Sequence, residues 1–283
     1  LSTNPKIKNY AVQFVHLISL NCETEKLNRI GAVIIQGMNK LIADSKDDSK
    51  LRGLAYVAVG KLARKMPNII VNDISVVHNF FSSLEKEDLD TKLHIQEALV
   101  LMIDALKTSN KEQKNILLSL LFQYVENDIS HCRSMAVKFA FEIFEHDHLE
   151  SRYLLILATS DAKEEIRQEA VKYLHRTDDG DGKELKMASF ETWVEFLNEK
   201  MEDRLKRNYK VYTFGTHTLA FDINCYKEIL TLLRLALSKS AGLKPQIIDS
   251  KSLESIRDQA PLLASFICQL SAQNINCLFK YVN

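Results

Sequence analysis

The amino-acid sequence predicts an all-α protein, an α-solenoid built from HEAT- or armadillo-like helix pairs. The first observation behind this prediction is a repeated segment, apolar-Arg-x-x-Ala, which occurs as Leu51–Ala55, Cys132–Ala136 and Ile166–Ala170. The second is its spacing: with looser copies at Ile7 and Leu93, successive copies start about 34 to 44 residues apart, the length of two helices with their turns. The third is that only four prolines and eight glycines interrupt 283 residues.

Each predicted helix carries apolar side chains at helical spacing, so one stripe of every helix needs a neighbour to leave water. The first helix begins at residues 2–5, and its expected inward stripe is Ile7, Tyr10, Ala11, Phe14, Val15 and Ile18. Further helices are predicted over residues 27–42, 50–66, 73–84, 91–107, 111–126, 130–144 and 148–158, and from 161 onward. We expect Asp161 to be the N-cap of the last of these, because a carboxylate accepts hydrogen bonds from free N–H groups at a helix start.

The predicted domain organisation has three parts. Residues 1–176 form HEAT-like helical repeats, and residues 177–188 form a polar linker that contains two glycines. Residues 189–283 form further helical repeats, with Ser189 as a helix cap and helices over 224–240, from 252 onward and over 275–281. Within this part, residues 207–221 are rich in aromatic and β-branched side chains, which predicts a short extended or hairpin insertion.

Composition argues against several classes of protein. The chain has 37 basic and 37 acidic side chains, so no net field points to nucleic acid or to an anionic membrane. Its five cysteines lack CxxC spacing and are typical of buried thiols in a reducing compartment. No apolar run has the length of a membrane span, and the N-terminus has no signal-peptide pattern. Because the chain opens at Leu1 directly in a helical pattern, we expect a segment of a longer solenoid.

Two segments carry side chains that suggest catalysis or zinc binding. His131 and Cys132 resemble a catalytic pair, but Cys132 occupies the core-facing position of the repeat, which favours packing. The segment 145–150 contains His146 and His148 among acidic residues. A tetrahedral zinc site needs further ligands, and no second His or Cys pair is present, so this segment is interpreted as a turn between helices.

Two more segments suggest ion or nucleic-acid binding. Residues 178–182, Asp-Asp-Gly-Asp-Gly, lack the alternating ligands and the final Glu of a calcium loop, and a linker is favoured. Residues 200–210 contain five basic side chains near tyrosines, but Glu202 and Asp203 favour a solvated helix end over a phosphate contact. We therefore predict no catalytic, cofactor-binding or metal-ligating residue, no cofactor and no enzymatic activity.

The repeated arginine has a structural hypothesis of its own. Asp161 with Arg167, and Asp128 with Arg133, are predicted to form a hydrogen-bonded ladder between successive repeats. The alternative is that these are solvated surface charges, which typically contribute only about 0–1 kcal/mol.

Several blocks of sequence resemble one family beyond generic repeats. They run from residue 51 to residue 242 in the same order: Leu51–Leu62 with Met66-Pro67, Ile95–Leu99, Ala136–Ala140, Asp147-His148, Ser151–Leu155, the Ser189 helix, Gly215-Thr216 and Ser240–Gly242. Together they are similar to a segment of the long HEAT-repeat proteasome adapter and scaffold family.

The resemblance implies a non-enzymatic adapter that binds the 26S proteasome, at both its core and regulatory particles. It also implies links to motor proteins and endomembrane compartments, in the cytoplasm and nucleus, with endoplasmic reticulum or endosome association through partners. No nucleic-acid partner and no membrane insertion are expected. The alternatives are another HEAT-repeat binding protein, such as a nuclear transport receptor or assembly factor, and a metal-dependent enzyme acting through His146 and His148.

Overall fold

The computed structural model describes residues 4–71, 73–207, 212–214 and 217–240. The described residues belong to two compact units, Leu1–Phe144 and Glu145–Asn283, which are treated separately below. The helices predicted from 252 onward and over 275–281 lie outside the described residues. The predicted division into domains at 177–188 stays a prediction.

The described part of the first unit consists of helices. Their bounds are α1 (Pro5–Asn21), α2 (Thr24–Asn28), α3 (Gly31–Asp44), α4 (Ser49–Lys65), α5 (Asn68–Val71), α6 (Ser75–Lys86), α7 (Leu89–Lys107), α8 (Lys111–Tyr124) and α9 (Ser130–Glu142). The long helices lie where the apolar spacing predicts them. The short helices α2 and α5 were not predicted, because one turn is too short to show a periodic stripe.

Short polar side chains begin four of these helices. Asp48 accepts a hydrogen bond from the Leu51 N–H at 2.9 Å, and Asp88 accepts one from the Thr91 N–H at 3.0 Å. Asn4 and Asn110 cap α1 and α8 in the same way. Each cap satisfies an N–H group that has no partner within its own helix, which explains why the helices start at these residues.

Helix α4 is the centre of the first unit, because it packs against α1, α3 and α7. Contact with α7 is close enough to require glycine: a Cβ on Gly60 would lie 2.7 Å from the Ala98 Cα. Later helices also pack on earlier ones, α7 on α6 and α9 on α7 and α8. This stacking of consecutive helices confirms the predicted all-α solenoid fold.

Aromatic rings fill the core between α6, α8 and α9. The Phe81 ring stacks on Tyr124 with ring centroids 4.6 Å apart and meets the Phe139 ring edge-on at 5.6 Å. Phe81 and Phe139 are fully buried. Residues from three separate stretches of sequence therefore form one cluster, as the stacking of amphipathic helices requires.

The second unit contains four described helices and a hairpin. Its elements are α10 (Leu149–Ala158), α11 (Glu164–Leu174), α12 (Phe190–Lys206), β1 (Tyr212–Phe214), β2 (His217–Leu219) and α13 (Ile223–Ser240). The strands pair antiparallel, with Tyr212 opposite Leu219, so the insertion at 207–221 forms the predicted hairpin. Ser189 caps α12, as predicted, by accepting the Thr192 N–H at 3.2 Å.

Arg204 anchors the chain after the hairpin to α12. Its Nε donates to the Ala220 carbonyl at 2.9 Å, and its guanidinium lies 5.4 Å from the centroid of the Phe221 ring. Phe221 in turn meets the Tyr153 and Tyr226 rings edge-on. These contacts bury an arginine next to aromatic faces that favour a cation.

Residues 177–188 form a hydrogen-bonded turn. Asp178 and Glu184 make an isolated antiparallel bridge, and the Leu185 N–H donates to the Thr177 carbonyl at 2.9 Å. Gly180 has φ of 96° and Gly182 has φ of 84°, a backbone region that a side chain disfavours. The two glycines of this segment are thus required by the path of the turn.

Two local predictions are wrong. Asp161 is not the N-cap of α11: the helix begins at Glu164 after Lys163, and the Asp161 carboxylate instead accepts the Lys163 N–H at 2.8 Å. In α1 the buried residues are Val12, Val15 and Ser19. The predicted inward side chains of Tyr10 and Phe14 are 67% and 59% exposed, because no described helix covers that side of α1.

Candidate functional site

The two buried cysteines are packing residues. Cys132 is fully buried, and its thiol donates to the Phe81 carbonyl at 3.8 Å. Burial raises the pKa of the Cys132 thiol to about 12, and burial likewise raises the pKa of Cys225. A thiol that stays protonated at neutral pH is a poor nucleophile, so the structure agrees with packing over catalysis at His131 and Cys132.

The histidines of the 145–150 segment have structural contacts. His148 is the N-cap of α10, and its Nδ1 accepts the Ser151 N–H at 3.2 Å. His146 lies 3.5 Å from the Arg152 guanidinium through its Nδ1. Burial, followed by the charges of Arg152 and Lys239, lowers the pKa of His146 to about 4. Within the described ranges, no group of three His, Cys, Asp or Glu side chains is placed to hold a metal ion.

The aspartates of 178–182 are used by the backbone of their own turn. Asp178 Oδ1 accepts the Gly180 N–H at 2.9 Å. Asp179 Oδ1 accepts the N–H groups of Asp181 and Lys183 at 3.0 and 3.1 Å. These hydrogen bonds stabilise a defined turn where the sequence predicts a polar linker.

The basic residues of the 200–207 segment are largely paired. Lys206 lies 2.9 Å from Glu202, and Arg207 lies 2.8 Å from Asp203, one turn away in each case. The Lys200 ammonium lies 5.0 Å from the centroid of the Phe196 ring. Intrahelical pairs of this kind are typical of a solvated helix end. Residues 208–210 of the predicted basic stretch lie outside the described residues.

The repeated arginine binds main-chain carbonyl groups, so the predicted hydrogen bond between Asp161 and Arg167 is present, but it lies within one loop and does not link successive repeats. The Arg167 Nη1 donates to the Asp161 and Ala162 carbonyls at 2.6 and 3.0 Å. Arg133 donates to the Asn127 and Asp128 carbonyls at 2.9 Å each. Each arginine therefore fastens the loop that precedes its own helix, and one recurring side chain sets the same turn in successive repeats.

Arg52, which the ladder hypothesis did not name, makes a link between two repeats. Its Nη1 donates to the Ser45 and Lys46 carbonyls at 2.8 and 2.7 Å, as in the sister repeats. Its Nη2 also lies 2.7 Å from the Glu87 carboxylate and 2.9 Å from that of Asp88. Because these residues precede α7, one arginine ties the start of α4 to the start of the next repeat.

One surface of the first unit was not predicted. A pocket of about 370 Å³ lies between α1, α4 and α7, lined by Ser19, Leu20, Lys61, Arg64, Lys65 and Leu101. The sequence contains one sign of this surface: three cations stand at positions i, i+3 and i+4, a spacing that places them on one face of a helix. The sequence could not show that α1 and α7 supply apolar walls on either side.

None of the described helices combines the length and the apolar character needed to cross a bilayer. The described residues also hold no cluster suited to a metal, as noted above.

Comparison with known proteins places the chain in a family. Residues 1–158 match the family model described as Proteasome component ECM29, N-terminal. The chain is 38% identical to the human proteasome adapter and scaffold protein ECM29 over 269 residues, 94% of this chain and 14% of the relative. It is 23% identical to the proteasome-associated protein ECM29 homolog of Drosophila melanogaster over an alignment covering 100% of this chain and 18% of that relative.

The chain thus spans less than a fifth of the length of the curated relatives it matches. No solved structure matches it. Since the family model covers more than half of the chain, the chain belongs to the ECM29 family.

Proposed function

We propose that this chain is a segment of a non-enzymatic scaffold that binds the 26S proteasome through its helical repeats. The observation that carries the proposal is the 38% identity to the human proteasome adapter and scaffold protein across 94% of the chain. Identity at this level along nearly the whole chain supports a shared role for the segment as well as a shared fold.

The chemistry of the described residues supports a binding role over catalysis. The candidate nucleophile Cys132 is buried with a raised pKa, and the candidate metal ligands His146 and His148 are engaged by Arg152 and by the Ser151 N–H. A partner protein would bind to the surface of the described helices. Repeat proteins of this kind bind large partners over extended faces.

The proposal extends to partners and location. The parent protein contacts both the core and the regulatory particle of the proteasome, and it links the proteasome to motor proteins and endomembrane compartments. It acts in the cytoplasm and nucleus, with endoplasmic reticulum or endosome association through partners. These features come from the family resemblance.

The test is affinity capture with the intact parent protein, followed by cross-linking and mass spectrometry. We expect proteasome subunits in the captured material, with cross-links from exposed lysines of this segment, such as Lys50 and Lys86, to one or more of them. A tag-only bait is the control. Recovery of the parent protein without any proteasome subunit would contradict the scaffold role. Recovery of subunits that cross-link only to other parts of the parent would move the contact away from this segment.

A nuclear transport receptor or assembly factor is the alternative HEAT-type function. A transport receptor that grips basic cargo needs an acidic surface, whereas this chain has 37 basic and 37 acidic side chains. The charge balance and the family match both favour the proteasome scaffold.

A further inference from the structure

The pocket between α1, α4 and α7 combines positive charge with apolar walls. Its volume of about 370 Å³ is within the range of about 300–1,000 Å³ that is common for ligand sites. Its walls come from the last turns of α1 and α4 and from the middle of α7. All three helices belong to the first compact unit, so the pocket is a feature of one folded body.

The positive charge in the pocket is not neutralised within the described part of the chain. Lys61, Arg64 and Lys65 lie on one face of α4, and the structure places no carboxylate within ion-pair distance of any of them among the described residues. By contrast, the buried Arg52 near the start of the same helix has the carboxylates of Glu87 and Asp88 as partners. Three adjacent cations without carboxylates attract an anionic ligand.

One of the three cations is held in place. The Lys61 Nζ lies 3.2 Å from His16 Nδ1. An ammonium group can only donate, so Nδ1 is the acceptor and the ring proton is on Nε2, which donates to the Leu54 carbonyl at 3.4 Å. Burial and the charge of Lys61 lower the pKa of His16, which keeps the ring in this neutral form at pH 7. The pocket therefore presents Lys61 in a fixed position.

The remaining walls are apolar. Leu20 is 70% exposed, and Leu101 contributes from α7. Ser19 donates its hydroxyl proton to the Val15 carbonyl at 2.7 Å, so toward the pocket it offers only lone pairs. A ligand that fits these walls has an apolar group next to its negative charge. Free phosphate has no apolar group and leaves the leucines uncovered.

Nucleic acid fits the site less well. The six lining residues include no aromatic ring on which a base could stack, and base stacking is a main source of affinity for single strands.

We propose that the pocket between α1, α4 and α7 binds a short acidic segment of a partner protein, with an aliphatic side chain against Leu20 and Leu101 and flanking carboxylates on Lys61, Arg64 and Lys65. The inference rests on the proposed scaffold function for the class of partner, a protein. It adds the chemistry that this scaffold recognises and the place where it does so.

The test measures peptide binding to the 283-residue chain by fluorescence anisotropy. The probe is a labelled peptide with the sequence Glu-Asp-Leu-Asp-Glu between glycines. Comparison probes have glycine in place of leucine, lysine in place of every acidic residue, or a single-stranded DNA oligonucleotide of similar charge. We expect the acidic leucine peptide to bind most tightly, with weaker binding when salt is raised, because screening shortens the range of charge attraction to about 8 Å at physiological ionic strength.

Charge-reversal variants locate the site. Arg64→Glu with Lys65→Glu should weaken peptide binding by about tenfold or more, since both replaced side chains line the pocket. Lys46→Glu with Lys50→Glu is the matched control, because it makes the same change in net charge at exposed positions near the other end of α4. This control should bind the peptide nearly as well as the unsubstituted chain does. Circular dichroism checks that each variant is folded.

Three outcomes overturn the inference. They are no saturable binding of the acidic leucine peptide, equal weakening in the two charge-reversal variants, and tighter binding of the oligonucleotide than of the peptide. The result is independent of the capture experiment: absence of peptide binding leaves proteasome capture untouched, and absence of proteasome capture leaves a measured peptide affinity in place.

Discussion

Two regions of the first unit share the same repeat pattern but differ in what their apolar stripes contact. In the central region, α4 to α9, most large apolar side chains of the helices are buried, and Phe81 packs between Tyr124 and Phe139. In the first region, α1 to α3, Tyr10 and Phe14 are exposed although they lie at helical spacing. The difference is in the neighbours: α4 has packed helices on several sides, whereas α1 packs mainly against α3 and α4 among the described helices. A stripe therefore predicts a capacity for burial, and the neighbouring helix decides whether burial happens.

The largest expected effect comes from deleting one ring in each region. Phe81→Ala should lower the free energy of unfolding by about 3–5 kcal/mol, because a fully buried aromatic side chain leaves a cavity. Phe14→Ala removes the same atoms from an exposed position and should change the free energy of unfolding by about 0.5 kcal/mol or less. Urea denaturation of both variants measures the comparison. Similar losses in the two variants would show that α1 buries Phe14 in solution.

Substitution of the repeated arginine tests whether this side chain links neighbouring repeats. Arg52→Met should lower the free energy of unfolding by about 3 kcal/mol, because it breaks the contacts to Glu87 and Asp88 and also releases the loop before α4. Arg167→Met is the matched control. It should lower the free energy of unfolding by about 1 kcal/mol, since Arg167 donates only to carbonyls of its own loop. Both variants are measured by chemical denaturation. An equal cost at the two positions would mean that the carboxylates near Arg52 add nothing.

Substitutions at two glycines distinguish the effect of close helix packing on stability from the effect of helix propensity. Gly60→Ala should destabilise the chain by about 2 kcal/mol, because the added Cβ meets the backbone of Ala98 at 2.7 Å. Gly37→Ala in α3 places its Cβ in open space and should stabilise the chain by about 0.5–1 kcal/mol through helix propensity. Thermal unfolding gives the sign in each case. Stabilisation by both substitutions would contradict the close contact between α4 and α7.

The smallest expected effect is the dependence of α1 on pH. Burial and the Lys61 charge lower the pKa of His16 below its usual 6.5 in the folded chain, so the neutral ring stabilises the fold fully above pH 6.5. This contribution is lost as pH falls through 6.5 toward the lowered value, because a protonated ring cannot accept from Lys61. Hydrogen exchange, corrected for its intrinsic pH dependence, should show greater loosening of α1 than of α7 between neutral and mildly acidic pH. The pH-dependent difference should vanish in His16→Gln, and its persistence there would assign it to other groups.

Much of the fold follows from the order of residues alone. The apolar spacing indicates where the long helices lie, Ser189 marks the start of α12, and the β-branched stretch at 207–221 marks the hairpin. These signals are local, because a helix start and a strand turn depend on neighbouring residues in the sequence. Interpretation of Cys132 as a packing residue was also available, because its place in the repeat matches that of Leu51 and Ile166.

The candidate binding site was not available in the same way. The spacing of Lys61, Arg64 and Lys65 is visible in the sequence, but it is equally typical of cations in the last turn of any helix. The site exists because Leu20 and Leu101, about 40 residues away on either side, are brought beside them by packing. His16 is likewise placed next to Lys61 by the contact between α1 and α4.

What the sequence determined by itself is the repeat: where the long helices lie, which positions are able to pack, and at which positions the arginine recurs. What only the tertiary structure decided is which of those positions are covered, that the repeated arginine binds carbonyls, and where unpaired charges and apolar walls meet. The physical reason is that helix formation is settled by contacts within one or two turns, whereas burial and electrostatic environment depend on segments far apart in the chain.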